Sequence, residues 1–409
     1  MSADPSPGAR AAVARAQRTA LSIVLAIFGG SWAIVGALLA PVAGGWRSIA
    51  GAVVLFTVLP LAVFIRSRSG DHYPGTATRL FVFRPMWYAQ LLLILSALGG
   101  AAAAIVGIPF GVAGAAGRIA IAIIAAVYFV LALVGYAGSR RLVVTRLAVT
   151  HPSLPPGLDG LRIAQICDTH IGPHISPAQL ARVAAAVREA RPDLIVVAGD
   201  LIDDYARDVD LYAAAFGDLT APLGVFVIAG NHEVYAGWNE VRPRLERLRV
   251  TLLVNDGRVL ETRGAKLAIV GTGDPAAGHR AAPGLPAPDL DASLASVPAG
   301  MFTVVLAHNP ALWPPLAAAG VPLTLSGHTH WGQFSIPRAG WSLANPFLRQ
   351  ALGPYRRGDS LLYVHPGTGY WGIPFRVGAP AEVAILTLAR GEAAILGAQA
   401  VDARAARPR

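Results

Sequence analysis

The stretch LRIAQICDTH, residues 161–170, is a short apolar run that stops on a carboxylate and an imidazole, and the chain repeats that construction four more times. Leu194–Ala198 closes on Gly199 and Asp200, Val225–Ala229 on Gly230, Asn231 and His232, and Thr303–Ala307 on His308, while Leu323–Leu325 leads to Gly327, His328 and His330. Runs this short, rich in Val, Ile and Leu and ended by Gly or a polar side chain, read as buried strands. Their ends would deliver Asp168, His170, Asp200, Asn231, His232, His308, His328 and His330 to one rim. Carboxylate, imidazole and amide donors together suit borderline divalent ions such as manganese, iron or zinc, and a shared carboxylate lets two ions sit about 3.5–4 Å apart. Asp200 is the expected bridge, because an anionic carboxylate lowers the repulsion between two cations that a neutral imidazole would leave unscreened. Water held between two such ions falls from a pKa of about 15.7 toward neutrality, so hydroxide is available for in-line attack on a phosphate ester. Taken singly, a His or Asp at a strand end reads as a turn or cap residue. Five motifs in this order, each after an apolar run, are not independent, and together they read as a site.

The pieces Asp168-Thr169-His170, Gly199-Asp200, Gly230-Asn231-His232-Glu233, His308 and Gly327-His328-Thr329-His330 resemble the calcineurin-like metallophosphoesterase family, over roughly residues 145–390. Within it, the lead-in Val143-Val144-Thr145-Arg146, the segment Leu158–Gln165 and the runs Gly327–Gln333 and Tyr363–Arg376 look most like the membrane-linked bacterial YkuE/YaeI-like branch. The resemblance implies a four-layer α-β-β-α metallophosphoesterase sandwich. It also implies two divalent ions, manganese foremost and iron, zinc or cobalt otherwise. Asp168, His170 and His330 would complete the shell of one ion and Asn231, His308 and His328 that of the other, with Asp200 serving both. His232 is left over, and would face the leaving-group oxygen as hydrogen-bond donor or general acid, with Glu233 or a neighbouring carboxylate setting its tautomer. The chain departs from the branch at Thr169, where Leu is usual, and at Trp331, where Gly is usual. Trp331 reads either as a contact for an acyl chain or sugar or as a core aromatic.

A formal charge of +10 and a pI near 10.3 would point to a nucleic-acid binder until the charges are located. Residues 1–150 hold 12 Arg, no Lys and 2 Asp, so the whole excess lies there and the remainder of the chain is neutral. No phosphate-tracking stripe is expected on the catalytic part, and nucleic acid is not an expected partner. The basic part instead carries four apolar stretches, 20–42, 48–65, 87–110 and 119–138, none with an Asp, Glu, Lys, Arg or His. A span needs about 20 apolar residues, so four transmembrane helices are expected, the second short and containing Pro60. Arg10, Arg15, Arg18, Arg66, Arg68, Arg79, Arg84, Arg140, Arg141 and Arg146 fall on one side of such a bundle and only Arg47 and Arg118 on the other. The positive-inside rule then places both termini and the phosphoesterase domain in the cytoplasm of a multi-pass cell-membrane protein. Trp46, Trp87, Tyr88 and Tyr136 fit interfacial anchors.

The expected organisation is a cytoplasmic tail (1–19), a transmembrane domain (20–142), the phosphoesterase domain (143–395) and a disordered tail (396–409), with Pro152–Gly160 as a short bridge into the domain. Ser176 reads as the N-cap of a helix over Pro177–Ala190, Trp238–Leu248 as another helix, and 274–298 as a surface insertion. The lone Cys167 rules out an internal disulfide framework and reads as a small core residue. His72, His151, His174, His279 and His365 match no ligand position, and Asp203 and Asp204 read equally as carboxylates that orient the ligands from behind or as an acidic loop. A transporter would carry ionisable residues within its spans, and a dead scaffold would tolerate loss of a ligand; neither applies. The function expected is a membrane-anchored binuclear phosphoesterase acting on phosphodiester or pyrophosphate bonds, with the bilayer as partner and a lipid or lipid-linked phosphate ester as substrate. Soluble nucleotide phosphodiesters, or a membrane regulatory protein with the domain as scaffold, are the alternatives.

Overall fold

A computed structural model describes residues 7–68, 75–172, 175–203, 205–278 and 284–402, except the side chains of residues 7–18, 20, 21 and 398–402. His72, His174, Asp204, His279 and the ends of both tails lie outside the described residues. The chain divides into two compact units between Val134 and Gly135.

The first unit is helical. Helix α1 spans Pro7–Leu39, α2 covers 46–68, α3 covers 76–107, and α4, Ala113–Ser139, crosses the division so that its last turn belongs to the second unit. All four are long and apolar enough to cross a membrane. Leu98, Val106 and Phe129 are each more than half exposed, as lipid-facing side chains would be. Helix α3 starts at Thr76, before the apolar run, so Arg79 and Arg84 lie on its first turns and not in a loop. Arg is a good helix former, and its stem can lie along apolar surface while its head reaches water. Pro60 does not break α2. A π-helical turn at Val54–Val58 precedes it, and the Gln90 side-chain amide donates to the carbonyl of Phe56 at 2.8 Å, the group that a proline four residues on leaves without its donor. Gln90 and the Trp32 indole also meet at Thr57 Oγ1, at 3.0 and 2.9 Å. Gly100 lets α1 and α4 approach α3, because a Cβ there would press on Ile121 and Leu38.

The second unit contains fifteen strands among the described residues: β1 Leu142–His151, β2 Arg162–Ile166, β3 Leu194–Ala198, β4 Val225–Ile228, β5 Thr251–Leu252, β6 Asp256–Thr262, β7 Ala265–Gly271, β8 Thr303–Leu306, β9 Leu323–Ser326, β10 Ser335–Ile336, β11 Trp341–Ser342, β12 Gly353–Arg357, β13 Ser360–Val364, β14 Ala381–Arg390 and β15 Ala394–Asp402. One sheet runs β15-β1-β14-β2-β3-β4-β5, the other β12-β13-β9-β8-β7-β6, and β10-β11 is a separate hairpin. Between the sheets lies a dry layer built from Ile163, Leu194, Val196 and Phe226 of the first and Leu267, Val304, Leu323 and Leu361 of the second. Fully burying side chains of this size stabilises by about 1.5–3 kcal/mol each. The outer face of the first sheet packs on α5 (Pro177–Ala190), α6 (Asp208–Phe216) and, beyond the short helix α7 (Asn231–Tyr235), α8 (Trp238–Leu245). The outer face of the second packs on α9 (Leu290–Ala295) and α10 (Trp313–Ala318). This is the four-layer α-β-β-α sandwich. Helix α5 begins where the sequence places it, with Ser176 Oγ accepting from the Gln179 amide.

Two expectations on organisation are corrected. Pro152–Gly160 is not a bridge into the domain, because β1 before it is already in the first sheet, paired in parallel with β14. The tail is ordered to Asp402, since β15 pairs antiparallel with β1, Val143 opposite Asp402 and Ala148 opposite Leu396. A bland Ala-rich composition hides this, because the pairing uses backbone groups on the free edge of β1.

Candidate metal centre

β2, β3 and β4 are parallel neighbours, as are β8 and β9, so their C-terminal ends share one rim of the sandwich. Every sequence-assigned residue sits just past that rim, Asn231 and His232 on the first turn of α7, His330 opening a 3-10 turn and the others in the connecting loops. The backbone there is strained: φ is positive at Asp168 (50°), His170 (41°), Asp200 (50°), His328 (68°) and His330 (49°). Each such residue costs about 1–3 kcal/mol and persists only where its surroundings over-determine it. The surroundings are visible. Glu233, fully buried, accepts four backbone N–H groups, from Asp200 (3.0 Å), Leu201 (2.8 Å), Ile202 (3.2 Å) and Gly230 (2.7 Å), and so clamps the loop after β3 to the loop after β4. Gly230 and Gly327 are required by closeness, since a Cβ would collide with the carboxylates of Asp200 and Asp168.

The side chains converge in two overlapping groups. His330 Nε2 lies 3.3 Å from Asp168 Oδ1 and 2.9 Å from His170 Nε2, which is 3.8 Å from Asp200 Oδ2. On the other side His308 Nε2 lies 3.2 Å from Asp200 Oδ2 and 3.2 Å from Asn231 Oδ1, which is 2.8 Å from His328 Nδ1. His308 Nδ1 donates to the carbonyl of Ala198 at 2.8 Å, which leaves its Nε2 facing Asp200. Asp168, His170 and His330 form one group able to hold an ion, and Asp200, His308 and His328 another; His170, Asp200 and His232 form a third between them.

The electrostatics fit cations. Burial raises the Asp168 carboxyl, whereas Asp200 is held well below the usual carboxylate range because His308, His232 and His170 together outweigh burial. Burial also opposes charge on His308 and His170, yet Asp200 lifts His308 well above the imidazole range and Asp203 and Asp200 raise His170. His328 is pushed down to about 4 by burial and then by His308, and burial, His170 and Arg376 hold His330 well below the imidazole range. Buried carboxylates thus face two imidazoles that hold protons and two that keep bare lone pairs. Divalent cations suit this donor set, since they can replace those protons.

The group opens into a cleft of about 490 Å³ whose floor includes His170, Asp200, Asn231, His328 and His330 and whose walls include Tyr235, Leu343, Phe347 and Trp371. His232 stands on this wall, its backbone N–H donating to Asp200 Oδ1 at 2.9 Å and its ring flanked by Tyr235 and Trp371. Its Nδ1 donates to the carbonyl of Asp203 at 2.6 Å. The tautomer is therefore set by a backbone oxygen, and Glu233, expected in that part, is consumed by the loop clamp. Trp331 is half-buried and turned toward the interior: its indole N–H donates to the Val364 carbonyl at 2.8 Å and it packs against the cluster of Trp313, Leu362 and Val364. Thr169 is buried, with its hydroxyl on the Leu201 carbonyl. Cys167 is fully buried. His151 meets the Asp359 carbonyl, and His365 lies 3.5 Å from Glu382, so neither joins the cluster.

Three residues of the site were not assigned from sequence. Asp203 places Oδ1 3.5 Å from His170 Nδ1, in the position of a carboxylate that orients a ligand imidazole. Arg376 is buried, held by the carbonyls of Pro366 (2.8 Å), Gly369 (2.8 Å) and Ala379 (3.0 Å), and sets Nη2 3.2 Å from His330 Nδ1. Asp274, read as the start of a surface insertion, is buried with one carboxylate oxygen on the Ala276 N–H and helps raise His308. An acidic residue after a strand was the only signal for Asp203; Arg376 and Asp274 had none in their local sequence.

Fold and site together define a metallophosphoesterase-type α/β domain with a metal-ligating rim. Residues 161–332 match the family model described as calcineurin-like phosphoesterase, and the domain belongs to that family. The chain is 32% identical over 275 residues to the transmembrane protein with metallophosphoesterase domain of Bos taurus, covering 63% of this chain and 60% of that protein. It is 34% identical over 230 residues to the uncharacterized metallophosphoesterase Cj0846 of Campylobacter jejuni, with 56% and 59% covered, and 28% identical over 259 residues to YkuE of Bacillus subtilis, with 62% and 87% covered. The match thus spans about three fifths of the first two relatives.

Proposed function

We propose that the protein is a membrane-anchored, metal-dependent phosphoester hydrolase that cleaves phosphodiester or pyrophosphate bonds, with a lipid or lipid-linked phosphate as substrate. The observation that carries this reading is the convergence of buried Asp, His and Asn donors on one floor, beneath a cleft with apolar walls, in a chain bearing four apolar helices. Asp168, His170, Asp200 and His330 would hold one divalent ion, and Asp200, Asn231, His308 and His328 a second. Bound there, such ions would lower the pKa of water and neutralise charge on the phosphate oxygens, manganese being the foremost choice. The residues of the chain do the rest. Asp203 fixes the His232 proton on Nδ1, so Nε2 is the nitrogen left for the leaving-group oxygen, to which it donates when the ring is protonated. The clamp by Glu233 holds Asp200 and Asn231 in place without rearrangement during turnover. The Arg distribution supports a cytoplasmic position for both termini.

Full-length protein should hydrolyse an aryl phosphodiester with added manganese and lose this on exhaustive chelation; activity that survives metal-free conditions overturns the reading. For orientation, Ala403→Cys should label only after permeabilisation and Ala43→Cys in intact cells, and the reverse pattern overturns the cytoplasmic placement.

A further inference from the structure

We propose that residues 335–350 are a bilayer-docking segment, which seats the metal cleft at the headgroup level of an anionic membrane. The inference rests on the lipid-phosphate reading of the cleft and adds the surface that would bring lipid to it. Among the described residues of the second unit, ten large apolar side chains are more than a third exposed, and four of them fall within twelve residues: Ile336 (52%), Trp341 (39%), Leu343 (53%) and Phe347 (84%). Exposed apolar side chains at this density mark an interaction surface, whereas scattered ones mark nothing.

The occupant follows from four further observations. Residues 331–358 hold four Arg and no Asp or Glu, in a part of the chain that is neutral overall, and Arg338 and Arg349 accompany the apolar tip. Aromatic and aliphatic tips with basic companions suit an anionic lipid interface. The backbone of the tip is closed on itself: Leu343 N donates to Phe334 O at 2.9 Å, Ala344 N to Ser342 Oγ at 3.1 Å, and Phe347 N and Leu348 N to Ala344 O at 3.0 Å. Entry into a poorly hydrated layer would therefore strand none of these groups. Leu343 and Phe347 also line the same cleft as His170, Asp200 and His328, so lipid reaching them has its phosphate near the ligands. Finally, only Arg140 and Arg141 separate α4, long and apolar enough to span a bilayer, from β1. A bilayer is the one partner this chain already carries.

The test uses full-length protein in nanodiscs containing phosphatidylglycerol. Cys167 is the single native cysteine and is fully buried, so Ile336→Cys and Phe347→Cys can each carry one environment-sensitive fluorophore, with Leu211→Cys, 49% exposed on α6, as reference. At 336 and 347, quenching by doxyl-labelled lipid should exceed that at 211 by at least threefold and quenching by iodide should fall below it. The difference should shrink when the lipid is purely zwitterionic and in the double variant Arg338→Ser, Arg349→Ser. Labels at 336 and 347 that quench like the one at 211 overturn the proposal. The readout is optical, and hydrolysis of the aryl phosphodiester is assayed on the unlabelled protein: hydrolysis beside water-exposed labels defeats the docking alone, and lipid-protected labels without hydrolysis defeat the enzymatic reading alone.

Discussion

Buried polar groups are treated in opposite ways in the two units of this chain. In the helical unit they close on one another: Trp32 donates to Thr57, and Gln90 bonds both Thr57 and the carbonyl that Pro60 leaves without its donor. In the α/β unit the side chains of Asp168, Asp200, Asn231, His308, His328 and His330 turn their nitrogen and oxygen atoms toward common points, while closed networks such as the Glu233 clamp stand behind them. A closed network holds structure, and an open one is available to a ligand. Both kinds include buried groups, Thr57 and Gln90 in the one and Asp168 and His308 in the other, so burial alone does not separate them; the convergence of the polar atoms does.

The largest effect expected from this contrast is at the centre of the open network. Asp200→Ala should cost more than about a hundredfold in turnover and remove both metal equivalents by elemental analysis, because its carboxylate lies within reach of both halves of the cluster. Loss of only one equivalent would mean that the halves are independent. His232→Ala should lower kcat by about 10²–10⁴ while the metal content stays unchanged. His232 also falls within ligand reach of His170 and Asp200, so loss of metal in this variant would move it from catalysis to coordination.

Closed networks should respond in stability more than in chemistry. Glu233→Gln replaces an acceptor pair with an amide whose N–H₂ faces backbone donors, and should destabilise the domain by about 1–3 kcal/mol, a drop of roughly 2–4 °C in Tm per kcal/mol. An unchanged Tm would show that the clamp adds no stability to the domain. The smallest effect belongs to the helical unit, where Gln90→Leu should cost about 0.6–1.7 kcal/mol in detergent unfolding and leave metal content untouched. A loss of metal there would break the separation between the two kinds of network.

How much of this was legible differs between elements. The five ligand strands and the helix capped by Ser176 were readable because apolar runs and their terminating residues are local signals. Glu233 was read as a neighbour of His232 because it is adjacent in sequence, yet its carboxylate turns away to gather backbone groups from residues 200–202 and 230. Trp331 follows a ligand, but its positive φ of 50° turns the ring into the core, and the apolar wall is supplied instead by Leu343, Phe347 and Trp371.

By itself, the sequence determined the four apolar helices, the asymmetry of Arg along them, and the identity and order of the candidate ligands at strand ends, since hydrophobic length, charge and periodicity act over neighbouring residues. Tertiary structure alone decided that Arg376 and Asp274 stand behind ligands far from them in the chain, that β15 closes the edge of the first sheet, and which side chains wall the cleft. Those outcomes depend on where distant backbone segments come to rest, and on positive-φ turns that aim a side chain in a direction its neighbours in sequence do not reveal.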